Sequence, residues 1–272
     1  MGLPFHKYEG LGNDFVIVEA ERESELTPSM AQQLCDRRLG VGGDGVLLLL
    51  PPASERAEAR MRVINADGSV PEMCGNGLRC VVLHVARRAG KTKGEVVIDT
   101  DAGVRRSVIE DRDTPALVTV DMGLVRSLGN TRVDLDGDVW ELALADAGNP
   151  HAITTREVDR RTIDAVGLRL ATHPAFPAGT NVEFATFREG RIDLVVWERG
   201  VGVTQACGTG ACATVAVGVA TGRVRSGEEI AVHLPGGVLS VIIEPNGHAI
   251  MRGPARHVFS GTAEGLRLVG HA

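Results

Sequence analysis

The sequence predicts an α+β protein of two structurally similar domains, each a mixed, barrel-like β-sheet wrapped around a central buried helix. Three observations carry this expectation: one layout occurs twice along the chain, each copy holds a helical segment that is largely apolar, and turn-bounded β-branched runs surround both segments.

The repeat is visible in equal-length segments. Residues 61–74 (MRVINADGSVPEMC) and 194–207 (LVVWERGVGVTQAC) begin as apolar strands and end at a cysteine. CGNGLRC (74–80) is answered by CGTGACA (207–213). Each copy then runs through an apolar stretch to a glycine before a basic residue, Gly90-Lys91 and Gly222-Arg223, and on to a strand, Glu95 to Gly103 and Glu229 to Gly237. The offset stays at 132 to 134, and an upstream pair, Gly12-Asn13 and Gly148-Asn149, repeats at 136. The boundary between copies falls near Pro115 to Leu117, which gives domains of 1–117 and 118–261.

The elements follow in chain order. Strands are expected at Phe15-Val18, Val46-Leu50, Arg62-Ile64, Val96-Ile98, Leu117-Val120, Ile192-Trp197, Ile230-Leu234 and Val238-Ile243, and the stretch Ser29-Arg38 is an amphipathic helix holding Cys35. Gly40-Val-Gly-Gly-Asp-Gly45 matches GxGxxG literally, but a dinucleotide fingerprint follows a strand and opens a helix, and here the order is reversed. It is a turn. Gly210 to Gly222 is small or apolar on every side, so a helix there must be buried all round. Its counterpart, Leu78 to Ala89, is read as apolar through Ala86 and ends in Arg87 and Arg88, which suit a helix C-terminus reaching solvent.

A chain of 272 residues, 43% hydrophobic and 24% charged, is long enough for two modest cores. A net charge of −6 speaks against nucleic-acid and anionic-membrane partners, which need a concentrated basic surface, and favours a small-molecule ligand. The N-terminal stretch Met1 to Lys7 has no basic-then-apolar run, and no stretch approaches the length of a membrane span, so a cytoplasmic location is expected. Five cysteines without a secretion signal are expected to be reduced thiols, and with no CxxC pair and scattered histidines no metal site is expected.

Two of those cysteines, Cys74 and Cys207, stand where a strand ends and a Gly-x-Gly helix start begins. Helix N-termini present unpaired N–H groups and partial positive charge, which favour a thiolate and also a substrate carboxylate cradled by Gly75-Asn76 and Gly208-Thr209. Each cysteine taken singly could be a small buried hydrophobe. Duplication at equivalent turns favours a shared chemical role. Cys80 and Cys212 fall inside the buried helices and are read as packing residues.

GLGNDF (10–15), NADGS and MCGNG (65–69, 73–77), GNPH (148–151), GTNVEF (179–184), WERG (197–200) and QACGTGACA (205–213) together resemble diaminopimelate epimerase over essentially the full length. The resemblance implies that fold, with residues 262–272 returning to the first domain as a final strand, and a homodimer. It implies conversion of LL-diaminopimelate to the meso form, in lysine and peptidoglycan precursor synthesis, without pyridoxal phosphate or metal. Carried over residue by residue, Cys74 and Cys207 would be the acid and base. His151 and Glu198 would adjust their pKa values, and Asn13, Asn65, Asn76, Asn149, Asn181, Glu198 and Arg199 would contact substrate, with Gly75, Gly208 and Thr209 at its carboxylate. Asp44 is followed by Gly45, where many members have glutamine, so one side-chain contact is absent. The rivals are a proline or hydroxyproline racemase, which has histidine where this chain has Asn76, and a non-catalytic amino-acid-binding or redox-sensing protein.

Overall fold

A computed structural model describes residues 2–71, 73–113 and 115–270 of the chain. By internal contacts it divides into two units, Met1–Val120 with Gly253–Ala272, and Asp121–Arg252.

The first unit contains β1 (Leu3–Gly10), β2 (Asn13–Glu19), α1 (Pro28–Cys35), β3 (Gly45–Leu50), β4 (Ala59–Asn65), α2 (Gly75–Arg88), β5 (Gly94–Thr100), β6 (Gly103–Asp111) and most of β7 (Ala116–Leu124). Hydrogen-bonding order follows the chain from β1 to β7, and the far half of β16 (His248–Ala263) pairs antiparallel with β1, closing an eight-stranded barrel. The helix α2 lies against β1 through β6. Turn chemistry fits: Thr27 caps α1 by accepting from the Met30 N–H, with Pro28 at the first helical position. Gly42, in the loop between α1 and β3, has a φ of 77°, a conformation that a side chain rarely adopts.

The helix α2 is less uniformly apolar than its sequence suggests. Arg79 and His84 are both buried, and their polar atoms are served by the barrel: Arg79 Nε donates to the Pro254 carbonyl at 3.1 Å, and His84 hydrogen-bonds Tyr8 and Glu19. Buried polar groups need such partners, and only the closed sheet supplies them.

The second unit contains β8 (Arg126–Leu135), β9 (Asp138–Asp146), β10 (Pro150–Thr154), α3 (Arg160–Ala171), β11 (Asn181–Arg188), β12 (Arg191–Glu198), β13 (Gly202–Val203), α4 (Gly208–Ala220), β14 (Glu229–Leu234), β15 (Gly237–Ile243) and the first residues of β16. The order is β15-β14-β12-β11-β10-β9-β8, with β13 on the side of β12. Every residue of α4 from Gly208 to Gly218 is buried, as its all-round apolar character requires.

The duplication extends to register. In the first unit β2 runs parallel to β3, which is antiparallel to β4; in the second β10 runs parallel to β11, which is antiparallel to β12. The pairs Phe15–Gly45 and Ile17–Leu47 correspond to His151–Asn181 and Ile153–Glu183, each at the offset of 136 already carried by Gly12 and Gly148. The crossings between units fall within β7 and within β16, at 120/121 and 252/253. A continuous strand carries no turn residues to mark such a crossing.

Candidate functional site

Both cysteine turns are built as helix caps. Cys74 is the N-cap of α2 with extended backbone (φ −141°, ψ 105°), and its Sγ accepts from the Gly77 N–H at 3.4 Å. Cys207 is the N-cap of α4 (φ −126°, ψ 109°), and its Sγ accepts from the Gly210 N–H, also at 3.4 Å, with Thr209 Oγ1 at 3.5 Å. The second glycine of each Gly-x-Gly stands over the sulfur: a Cβ at Gly77 would meet Cys74 Sγ at 3.4 Å, and one at Gly210 would meet Cys207 Sγ at 3.3 Å.

The surroundings differ. Cys74 is half-buried, whereas Cys207 is 5% exposed and faces acidic groups of its own unit. Burial, then the charges of Glu198 and Glu183, push the Cys207 thiol well above its ordinary value, against the hydrogen bonds from Thr209 and Gly210. The helix start therefore does not, in this structure, lower the Cys207 pKa as the sequence suggests. Removing a charge from water costs several kcal/mol, and a single cap hydrogen bond returns only about 1.

In the second unit the named residues fall into three hydrogen-bonded sets. His151 Nδ1 lies 2.6 Å from Glu183 Oε1 and its Nε2 lies 2.8 Å from Asn149 Oδ1. Asn181 donates to the Pro150 carbonyl at 3.0 Å and accepts from the Arg199 N–H at 2.9 Å, while the Arg199 side chain donates to the Ala178 carbonyl at 2.8 Å. Thr204 donates to Glu198 at 2.5 Å. Burial raises the Glu198 carboxyl above its usual range, and hydrogen bonds with Thr204 and Cys207 work the other way.

In the first unit Asn76, in the first turn of α2, donates to Asn13 Oδ1 at 2.7 Å, and Asn13 donates to Asp44 at 3.2 Å. Asp44 is fixed by Arg37 at 2.7 Å, and Arg37 also grips Asp14, as does the buried Lys7, whose ammonium hydrogen-bonds the Gly42 carbonyl. Gly45 begins β3, and a Cβ there would press on the Ile64 carbonyl at 2.9 Å, so the missing side chain leaves a tight backbone contact. Asn65 ends β4 with its amide donating to Ser69 Oγ at 2.9 Å.

Sequence reasoning passed over Glu183. It is fully buried in β11, in the middle of the GTNVEF motif. A signal existed: an ionisable residue inside an apolar run, aligned by the 136-residue offset with Leu47.

One further cluster could hold a metal: His6, Glu19 and His84 offer ligand atoms within 4.8 Å of one another. Tyr8 and Arg88 already hydrogen-bond its members, and His84 stands about 15 Å along α2 from Cys74.

The profile described as "Diaminopimelate epimerase" matches residues 5–128 and 143–258. The chain belongs to this family. Relatives bearing that name include one from Gloeothece citriformis, 41% identical over 97% of this chain and 100% of its own length. Another, from Desulforudis audaxviator, is 43% identical over 95% of this chain and 98% of its own. Among solved structures, a hydroxyproline epimerase from Agrobacterium vitis superposes with a TM-score of 0.75 at 18% identity, covering 96% of this chain and 92% of that one. A phenazine biosynthesis protein from Bacillus anthracis gives 0.71 at 16% identity, covering 96% of this chain and 98% of that one. At such identities the structural likeness speaks for the shared fold alone, and the family assignment rests on the sequence relatives.

Proposed function

We propose that the protein is a diaminopimelate epimerase that converts LL-diaminopimelate to the meso form with Cys74 and Cys207 as its acid–base pair. The observation that carries the reading is the duplicated construction: in each repeat a cysteine caps a buried helix, with its sulfur on the N–H of the second glycine. Relatives named for this activity span the whole chain and support the substrate.

Inverting a carbon needs a proton taken from one face and another delivered to the opposite face, so two groups are required. For the LL substrate Cys207 accepts and Cys74 donates; the roles exchange in the reverse direction. Because burial raises the Cys207 thiol, its proton must leave before the sulfur can accept another. The adjacent Glu198 carboxylate takes it, forming the carboxylic acid and the thiolate; burial favours the step by raising the Glu198 carboxyl and opposes it by raising the Cys207 thiol, so the two titrate as a pair. The thiolate then takes the α-proton, and the Cys74 thiol protonates the opposite face. The N–H groups of Gly75-Asn76 and Gly208-Thr209 receive the substrate carboxylate at two helix starts and stabilise charge that develops there. Asn13, Asn65, Asn149, Asn181, Glu198 and Arg199 recognise the rest of the substrate.

The test is LL-diaminopimelate in heavy water, following meso product and α-deuterium with wild type, Cys74→Ala and Cys207→Ala. Robust turnover by either variant overturns the two-thiol reading. The same reading puts the enzyme in the cytoplasm as a homodimer, which sedimentation velocity checks; among the described residues no helix is long and apolar enough to cross a membrane.

A further inference from the structure

The two cysteine turns are copies in backbone and opposites in what stands behind them. At Gly77 a Cβ would meet Leu47 Cδ2 at 2.7 Å as well as Cys74 Sγ; at Gly210 it would meet Glu183 Oε1 at 2.8 Å as well as Cys207 Sγ. Leu47 and Glu183 are equivalent residues of equivalent strands, and so are Phe15 and His151, in β2 and β10. One repeat places a buried phenylalanine and leucine where the other places a buried imidazole and carboxylate.

The imidazole and carboxyl are in contact with both side chains 0% exposed. Both nitrogens of His151 face acceptors, Glu183 Oε1 at 2.6 Å and Asn149 Oδ1 at 2.8 Å. A neutral imidazole has one N–H and can serve only one of them. Either His151 is doubly protonated beside a carboxylate, or Glu183 holds the proton and donates it to Nδ1 while Nε2–H serves Asn149. In both states the pair carries one proton more than a neutral imidazole with an ionised carboxylate. Burial raises the Glu183 carboxyl, while His151 opposes that, as a shared proton requires. Glu183 Oε2, among the described residues, has no partner of ordinary hydrogen-bond geometry, although the backbone N–H groups of Ala152 and Glu183 favour the charged carboxyl. A fully buried carboxylate oxygen left unsatisfied is costly, and the leucine of the first repeat would avoid the cost.

We propose that Glu183 is a positioning residue for Cys207: it fixes His151 through a hydrogen bond at Nδ1 and places an ionisable carboxyl behind the Cys207 turn that the Cys74 turn lacks. The titratable side chains that bear on this turn are Glu183 from β11 and Glu198 from β12, with His151 from β10 acting on both carboxyls. The two thiols are thereby unequal, although their helices and caps are duplicated. The inference rests on the assignment of Cys207 as an acid–base group, but two of its three readouts need no turnover.

The experiment compares wild type, Glu183→Gln and Glu183→Asp. In wild type at neutral pH, nitrogen NMR of His151 is expected to show both ring nitrogens protonated or in shared-proton hydrogen bonds; a bare Nδ1 overturns the proposal and needs no variant to fold. In Glu183→Gln iodoacetamide labelling of Cys207, followed by peptide mass spectrometry, is expected to accelerate severalfold, up to about tenfold, with Cys74 unchanged. The Asp variant is expected to restore the slow labelling in part. Equal changes at both cysteines, or none at Cys207 in a folded Gln variant, overturn it. The third readout is the pH profile of kcat/KM with LL-diaminopimelate, whose acid limb is expected to move in the Gln variant and to return toward wild type in the Asp variant. If the wild type itself fails to epimerise, the functional reading falls, while the NMR and labelling results still decide the role of Glu183.

Discussion

Cys74→Ala and Cys207→Ala each remove the group that the proposed reaction needs on one face of the carbon, and each is expected to lower kcat/KM by about 10²- to 10⁴-fold. Product formation and α-deuterium incorporation measure this. A second residue-level expectation concerns Asp14. Its burial opposes ionisation, but hydrogen bonds and charges from Arg37 and Lys7 outweigh that and hold its carboxyl below the ordinary range. A depressed folded-state pKa stabilises the fold above the unfolded value of about 3.9, and the contribution disappears as pH falls through the folded value. The difference in Tm between wild type and Asp14→Asn is therefore expected to be largest at neutral pH and to shrink between about pH 5 and about pH 2. A difference that stays constant across that range removes Asp14 from the account. The sequence named Cys74 and Cys207, because a cysteine before Gly-x-Gly is a local pattern. It did not name Lys7, Asp14 or Glu183, whose roles depend on partners brought in by other strands.

Glycine placement makes the two helix starts experimentally distinguishable. In Gly77→Ala the new methyl meets the end of the Leu47 side chain, which can move; in Gly210→Ala it meets a carboxylate tied to His151. Gly210→Ala is expected to lower kcat/KM more than Gly77→Ala at comparable Tm, and equal losses would argue that the two turns are chemically alike. On α3, Gly167 packs so closely on Trp197 of β12 that a Cβ would stand 2.3 Å from the ring. Gly167→Ala is expected to destabilise the protein by about 1–3 kcal/mol in urea unfolding, through displacement of that ring. Among the elements, α2, α4 and the β-branched strands were legible because their burial is written in composition and period. The helix α3 was not anticipated: only Ile163, Gly167, Leu170 and Ala171 of its twelve residues are buried, and the rest mix three arginines and Asp164 with small and apolar residues.

At the scale of the molecule, the first unit is completed by the end of the chain. Deleting residues 253–272 leaves β1 without its antiparallel partner in β16 and opens the barrel. An unpaired, buried-facing strand is an aggregation site, so the truncated chain is expected to be insoluble or to lack the far-ultraviolet dichroism of the intact protein. A soluble, native-like truncation would show that closure is dispensable. The duplicated layout, the all-round burial of α4 and the two capping cysteines were determined by the sequence itself, since each follows from residue spacing within one segment. Tertiary structure alone decided the rest. The crossings lie inside β7 and β16, where continuous strands carry no punctuation. The inequality of the two thiols arises from burial of Cys207 and from Glu198 and Glu183, which β12 and β11 bring to it from elsewhere in the chain. A pKa is set by whatever charge and solvent surround a group after folding, and that surrounding is assembled from distant segments.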